Sequence, residues 1–215
     1  MCAVNKVNMF MAVTIDTKQS VFIHLPKNAG SSITNWLCNY VNGHNVKRKH
    51  DSLDQFKRRY PNYNIKHSFA VVRNPWDRAV SAYFYNKKFY ASKYKDIDSL
   101  IERKKDSKVI GHLKKIKESV DIMSDSTFEE FILKGNYLPI ESTQTSMCLG
   151  VSCILRYEQL EKDFDSIQNF FNVDVPLGFD NKSSHKLYQE YYTSKTKDII
   201  HNYYREDINK WNYEF

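Results

Sequence analysis

The chain is poor in residues that interrupt regular structure: its 215 positions hold only six glycines and five prolines. That scarcity excludes a collagenous tract, a low-complexity segment and a flexible linker. No internal repeat is present. Cysteine is equally sparse. Cys2, Cys38, Cys148 and Cys153 form no CxxC pair and have no histidines at metal-finger spacing, so no metal site is expected and the thiols read as reduced ones of a cytoplasmic protein. Long apolar runs are missing too. The patch at 9–13 is soon followed by Asp16 and Lys18, far short of the about 20 residues that span a bilayer. Neither a secretory signal nor a membrane anchor is expected.

What the chain does have is positive charge and enough apolar residues for a core. A formal charge of +7 and a pI near 9.0 are those of a protein with an anionic partner such as a phosphate, a sulfate ester, a nucleic acid or a membrane surface; lysines spread over solvated helices give the same totals without one. A hydrophobic content of 41% fits one α/β domain over residues 1–215, with a basic helical insertion around 91–126.

The apolar run 21–25 (VFIHL) ends at Pro26, and Ile33, Trp36, Leu37 and Tyr40 follow at helical spacing; this reads as strand, loop, helix. An Asn42-Gly43 turn leads into a polar segment ending at Lys49-His50, after which Ser52 and Gln55 form a capping box for a helix through about Tyr60. A second strand, 69–72 (FAVV), runs into Arg73, with Asn74 suited to cap and Pro75 to open the helix that carries Ala79, Val80, Tyr83 and Phe84. The lysine-rich stretch 93–117 reads as one or two exposed helices. Ser126 with Glu129 is expected to cap a short helix, 153–155 to form a buried strand, and 164–171 an amphipathic helix. The tail from Leu187 reads as a long, tyrosine-rich helical stretch. Alternating strands and helices predict a three-layer α/β sandwich around a central, mainly parallel sheet, with ligands beyond the carboxyl ends of its strands.

Lys27, Asn28, Ala29, Gly30, Ser31 and Ser32 lie between a buried strand and a helix start, where backbone N–H groups and the positive helix end attract a phosphate. Gly30 permits close approach, Ser31 and Ser32 supply hydroxyl donors, and Lys27 supplies charge. The lysine precedes the glycine, unlike GxxxxGK[ST], whose lysine follows it together with a magnesium-binding hydroxyl. A metal-free anion site is therefore favoured over a Mg-ATP site.

Together PKNAGSS and the run 73–83 (RNPWDRAVSAY) resemble the sulfotransferase superfamily, closest to its carbohydrate-type branch, which includes heparan sulfate 2-O-sulfotransferase and bacterial relatives. FIHLPK, KHDSL, ILRYEQLEKDF and the closing NKSSHKLYQEYYT to NYEF also have family counterparts, so most of the chain is covered. Asn28-Ala29 stands where Thr-Gly is usual, and Ser31 where Thr is usual. The resemblance implies a P-loop-like sulfotransferase fold and transfer of a sulfuryl group from 3′-phosphoadenylyl sulfate (PAPS) to a hydroxyl, with 3′,5′-bisphosphoadenosine (PAP) as product, no metal and a carbohydrate acceptor. It places Lys27 and 28–32 on the 5′-phosphosulfate, Arg73 and Ser81 on the 3′-phosphate, and Tyr157 on the adenine side. Core packing explains Tyr157 equally well, and a helix-face ion pair is the preferred reading of Arg78.

In-line transfer needs charge neutralisation at the leaving oxygen, for which Lys27 is placed, and a base for the hydroxyl proton. His50 is the chosen base of the seven histidines. It lies at the sheet's functional edge and resembles the second histidine of the family's HGH element, although an exposed histidine beside Arg48 and Lys49 also fits. His24 reads as a hydrogen-bonded core histidine, with His67 and His185 in reserve. Lys182, next to Asn181 and near Lys186, reads equally as a phosphate ligand and as a solvated lysine. Two other functions fit parts of the pattern: a P-loop-like nucleotide kinase, and a noncatalytic polyanion binder acting through 93–117. A nucleic-acid partner is not expected.

Overall fold

The computed structural model describes residues 11–134, 143–178 and 186–215. In chain order its elements are β1 (Met11–Ile15), β2 (Ser20–Ile23), α1 (Gly30–Tyr40), β3 (His44–Lys49), α2 (Leu53–Arg59), β4 (His67–Val72), α3 (Pro75–Lys93), α4 (Ile97–Glu102), α5 (Ser107–Asp125), α6 (Phe128–Lys134), α7 (Gln144–Met147), β5 (Cys153–Arg156), α8 (Leu160–Phe171), α9 (Ser194–Tyr203) and α10 (Arg205–Trp211). The class is α/β. The described residues divide into two compact units, one of 11–74, 143–178 and 206–214, the other of 75–134, 186–205 and 215.

The first unit holds a five-stranded sheet of order β3-β1-β2-β4-β5. The sheet is mixed. β2–β4 and β4–β5 are parallel, whereas β1 pairs antiparallel with both β2 and β3. The expected mainly parallel sheet is thus found only in the β2–β4–β5 part. The reason is loop length: only a 3-10 turn at Asp16–Lys18 and Gln19, at φ 49, separates β1 from β2, too little chain for a parallel crossover. Alternation along the strands sends Val13, Phe22, Phe69, Val71 and Leu155 into one apolar cluster with Ile33, Trp36 and Leu37 of α1 and Phe164 and Ile167 of α8. Each large apolar side chain so buried contributes about 1.5–3 kcal/mol. Val21, Ile23, Ala70 and Val72 alternate with these and are buried as well, so the middle strands are covered on both faces.

Because β2 and β4 run parallel, both finish at one edge of the sheet. The next strand after β2 is β3, on the β1 side, and the next after β4 is β5, on the other side. The gap between the ends of β2 and β4 is therefore the switch point at which open α/β sheets form a crevice.

In the second unit Tyr83 of α3 donates to the Ser126 carbonyl (2.8 Å) and packs edge-on against Phe131 of α6. The Trp76 indole donates to the Lys197 carbonyl of α9 at 3.2 Å. α6 is capped one residue later than expected: Thr127 Oγ1 accepts from Glu130 N (3.2 Å) and Glu130 Oε2 from Thr127 N (2.7 Å). The tail is broken where one stretch was expected, because Thr193 and Thr196 form a capping box that starts α9 afresh after the 3-10 turn at Tyr188–Tyr191. The lysine-rich stretch holds α4 and α5, joined by an exposed Lys117–Asp98 ion pair of 2.5 Å. No described helix is long and apolar enough to cross a membrane.

Candidate active site

The chain leaves β2 through a strained turn. Lys27 and Ala29 adopt left-handed backbone, φ 69 and φ 59, on either side of Asn28. Such alternation turns successive N–H groups toward a common concavity that accepts an anion. Ala29 is the N-cap of α1, and no side chain caps that helix, so a bound anion can take the place a capping oxygen fills elsewhere. Gly30 is required by its neighbour: a Cβ there would lie 2.0 Å from Nε2 of His24. The close approach that Gly30 permits is taken up by this imidazole. His24 is buried, and burial, helped by the charges of His50 and Lys27, pulls its pKa down to about 3, so the ring is neutral at neutral pH.

The chain leaves β4 through Arg73, which is 5% exposed. Its guanidinium stacks on the Tyr157 ring at 3.9 Å and donates from Nη1 to the Lys27 carbonyl at 2.9 Å. The two strand ends thereby meet. Burial and then the Arg73 charge lower the Lys27 ammonium from 10.5 to about 7, the signature of two cations held close together in a poorly solvated place. A multiply charged anion lying against both removes that conflict.

A family profile decides what kind of protein carries this arrangement: that of the sulfotransferase family matches residues 11–214. The chain belongs to the sulfotransferase family. No curated protein and no solved structure matches it. Sulfotransferases move a sulfuryl group to a hydroxyl-bearing acceptor.

In this sulfotransferase the two strand ends are joined by Asn28, a residue of the expected anion loop, and by Gln144 and Asp207, which sequence reasoning missed. Asn28, 1% exposed, donates from Nδ2 to the Val71 carbonyl (2.7 Å) and to Gln144 Oε1 (2.7 Å). Its side chain is thus spent on the loop, and its backbone N–H is what it can offer an anion. Gln144 Oε1 also accepts from Arg73 N (2.9 Å), while Nε2 donates to Arg73 O (2.8 Å). Asp207 in turn accepts from the N–H groups of Gln144 (2.9 Å) and Thr145 (2.8 Å). Glu158 accepts from Asn74 N at 2.5 Å, and Asn74 Nδ2 donates to the Glu214 carbonyl at 2.7 Å. The only sequence signal near Gln144 is the capping threonine at 143.

His50 lies beside the anion loop. Its ring meets that of His24 edge-on with centroids 5.3 Å apart, and its Nδ1 is 3.0 Å from the His24 carbonyl. A carbonyl only accepts, so Nδ1 carries a proton and donates it to this bond. Just after it, Asp51 pairs with Arg59 at 2.8 Å and Ser52 closes the capping box of α2. This anchors a backbone that is itself left-handed at His50, φ 48.

The remaining candidates separate. Ser31 is half-buried and Ser32 buried in the first turn of α1. Tyr157 is the platform under Arg73. Ser81 is buried on α3 within the second unit. Arg78, read as a helix-face ion pair, is 1% exposed on α3, so it is buried and does not face solvent. His67 pairs with Ser20 at the beginning of β4, the far end of the sheet from Lys27, and packs on Phe170, which removes it as a reserve base. Lys186 is exposed and pairs with Glu190 at 3.5 Å in the second unit. Asn181, Lys182 and His185 lie outside the described residues.

Proposed function

We propose that the protein transfers the sulfuryl group of PAPS to a hydroxyl, with a carbohydrate as acceptor. The observation that carries this reading is the meeting of Lys27 and Arg73 at the carboxyl ends of adjacent parallel strands in a sulfotransferase-family chain. PAPS bears anionic groups at both ends of one adenosine. The loop of Lys27, Asn28, Ala29, Gly30, Ser31 and Ser32 suits the 5′-phosphosulfate, and the Arg73 fork suits the two oxygens of a 3′-phosphate. Ser81 keeps the 3′-phosphate role that the resemblance gives it, and Lys182 that of a phosphate ligand.

In the reaction His50 Nε2 takes the proton of the acceptor hydroxyl as its oxygen approaches sulfur in line with the leaving group. One S–O bond forms to the acceptor while the bond from sulfur to the bridging phosphate oxygen breaks. Lys27 neutralises the charge that grows on that oxygen, which leaves with PAP. With Nδ1 donating to the His24 carbonyl, Nε2 is the ring nitrogen assigned to this step.

Calorimetry tests the reading. Adenosine 3′,5′-bisphosphate should bind tightly without magnesium, and a preference for Mg-ATP would reject PAPS as the donor. Incubation with radiolabelled PAPS and a panel of glycans and small alcohols then identifies the acceptor; labelling of the alcohols alone would reject the carbohydrate.

A further inference from the structure

The parallel ladder between β2 and β4 runs from the Ser20–His67 pair to the Ile23–Ala70 pair. Lys27, the loop 28–32 and Arg73 all follow the last pair of this ladder along the chain. Something other than the sheet must therefore set the distance between the anion loop and Arg73. The amides of Asn28 and Gln144 bridge that gap. From Val71 O through Asn28 Nδ2 to Gln144 Oε1, and on to both backbone groups of Arg73, every step is a bond of 2.7–2.9 Å.

We propose that Gln144, held by Asp207, is a positioning residue that fixes the spacing between the two phosphate-binding strand ends. The role needs an amide. One atom of Gln144 must accept from both strand ends while another donates to Arg73 O, and only a side chain with both functions does this. Gln144 and Asp207 are both 0% exposed, so water cannot replace a lost partner without rearrangement. Asp207 uses one oxygen for each of two adjacent N–H groups, which locks the backbone from which Gln144 reaches out. The inference rests on the PAPS reading given above, because it concerns the distance between that donor's two anionic ends.

A role in spacing predicts something that general support of the fold does not. A ligand with phosphates at both ends senses the distance between the strand ends; a ligand with one phosphate does not. Titration calorimetry of adenosine 3′,5′-bisphosphate and adenosine 5′-phosphate should show a strong preference for the first in the native protein. In Gln144→Ala and Gln144→Asn that preference should fall about tenfold or more, with affinity for the monophosphate held within about twofold. Gln144→Asn keeps the amide but shortens it by one methylene, and serves if the alanine variant does not fold, as judged by melting temperature. Asp207→Asn should show the same selective loss, and the Gln144→Asn/Asp207→Asn double variant should lose no more than the worse single one. An unchanged preference in folded variants, or equal loss for both nucleotides, overturns the positioning role. Failure of the native protein to bind the bisphosphate would instead remove the PAPS reading itself, and the inference with it.

Discussion

The exits of β2 and β4 lie side by side but are built from different materials. The β2 exit is made of backbone: two left-handed residues, an uncapped helix and a glycine pressed against an imidazole. The β4 exit is made of side chains: a guanidinium on a tyrosine ring and an asparagine tied to Glu158 and the Glu214 carbonyl. Backbone amides attract any suitable anion, whereas a stacked fork selects one with two oxygens at the right place. On the function proposed above, the first exit serves the chemistry and the second the recognition of the donor.

That division can be broken experimentally. The largest effect is expected from His50→Ala, which should lower turnover by about 10²–10⁴ while leaving affinity for adenosine 3′,5′-bisphosphate nearly intact; stopped transfer assays beside calorimetry measure both. Near-native turnover would move the base elsewhere. Arg73→Lys keeps the charge but loses the fork and the stacking, so it should weaken bisphosphate binding about 10- to 100-fold with little effect on monophosphate binding. If it lowered turnover alone, the division would be wrong.

A smaller, graded effect follows from Lys27. Its pKa is lowered from 10.5 to about 7, so between those values the unfolded chain holds a proton that the folded chain has released. Stability should therefore rise with pH over that window. A bound anion draws the proton back, and bisphosphate affinity should fall above pH 7, by no more than about tenfold per pH unit. Titrations at several pH values check the slope, which Lys27→Met should abolish. The smallest effect is expected from Ala29→Gly. Left-handed backbone costs a residue with a Cβ roughly 1–2 kcal/mol, and the greater unfolded freedom of glycine offsets roughly 0.5–1 kcal/mol of that. The variant should be more stable in urea unfolding by up to about 1.5 kcal/mol, and lower stability would mean that the turn is not strained.

The same contrast explains what could be read from the sequence. Features that depend on neighbours in the chain were legible: the capping box of Ser52 and Gln55, the start of α3 at Pro75, and the strand-to-helix turn around Lys27. β1 was passed over as an isolated apolar patch. β3 reads only as a polar segment, because its sequence HNVKRK lacks an apolar run. Gln144 was invisible for a different reason. Its partners stand 71 and 116 positions away for Arg73 and Asn28, and no local pattern announces a bond that only the folded sheet brings about.

The contact between Gly30 and His24 reaches beyond this molecule. A methyl group at position 30 would occupy the space of the imidazole, and the main chain of that same histidine holds His50 in place. Substitution at either site thus disturbs the other, so the two should change together during divergence. Relatives with alanine at the position of Gly30 should carry a smaller residue at that of His24, a pattern that sequencing of further members can confirm or refute.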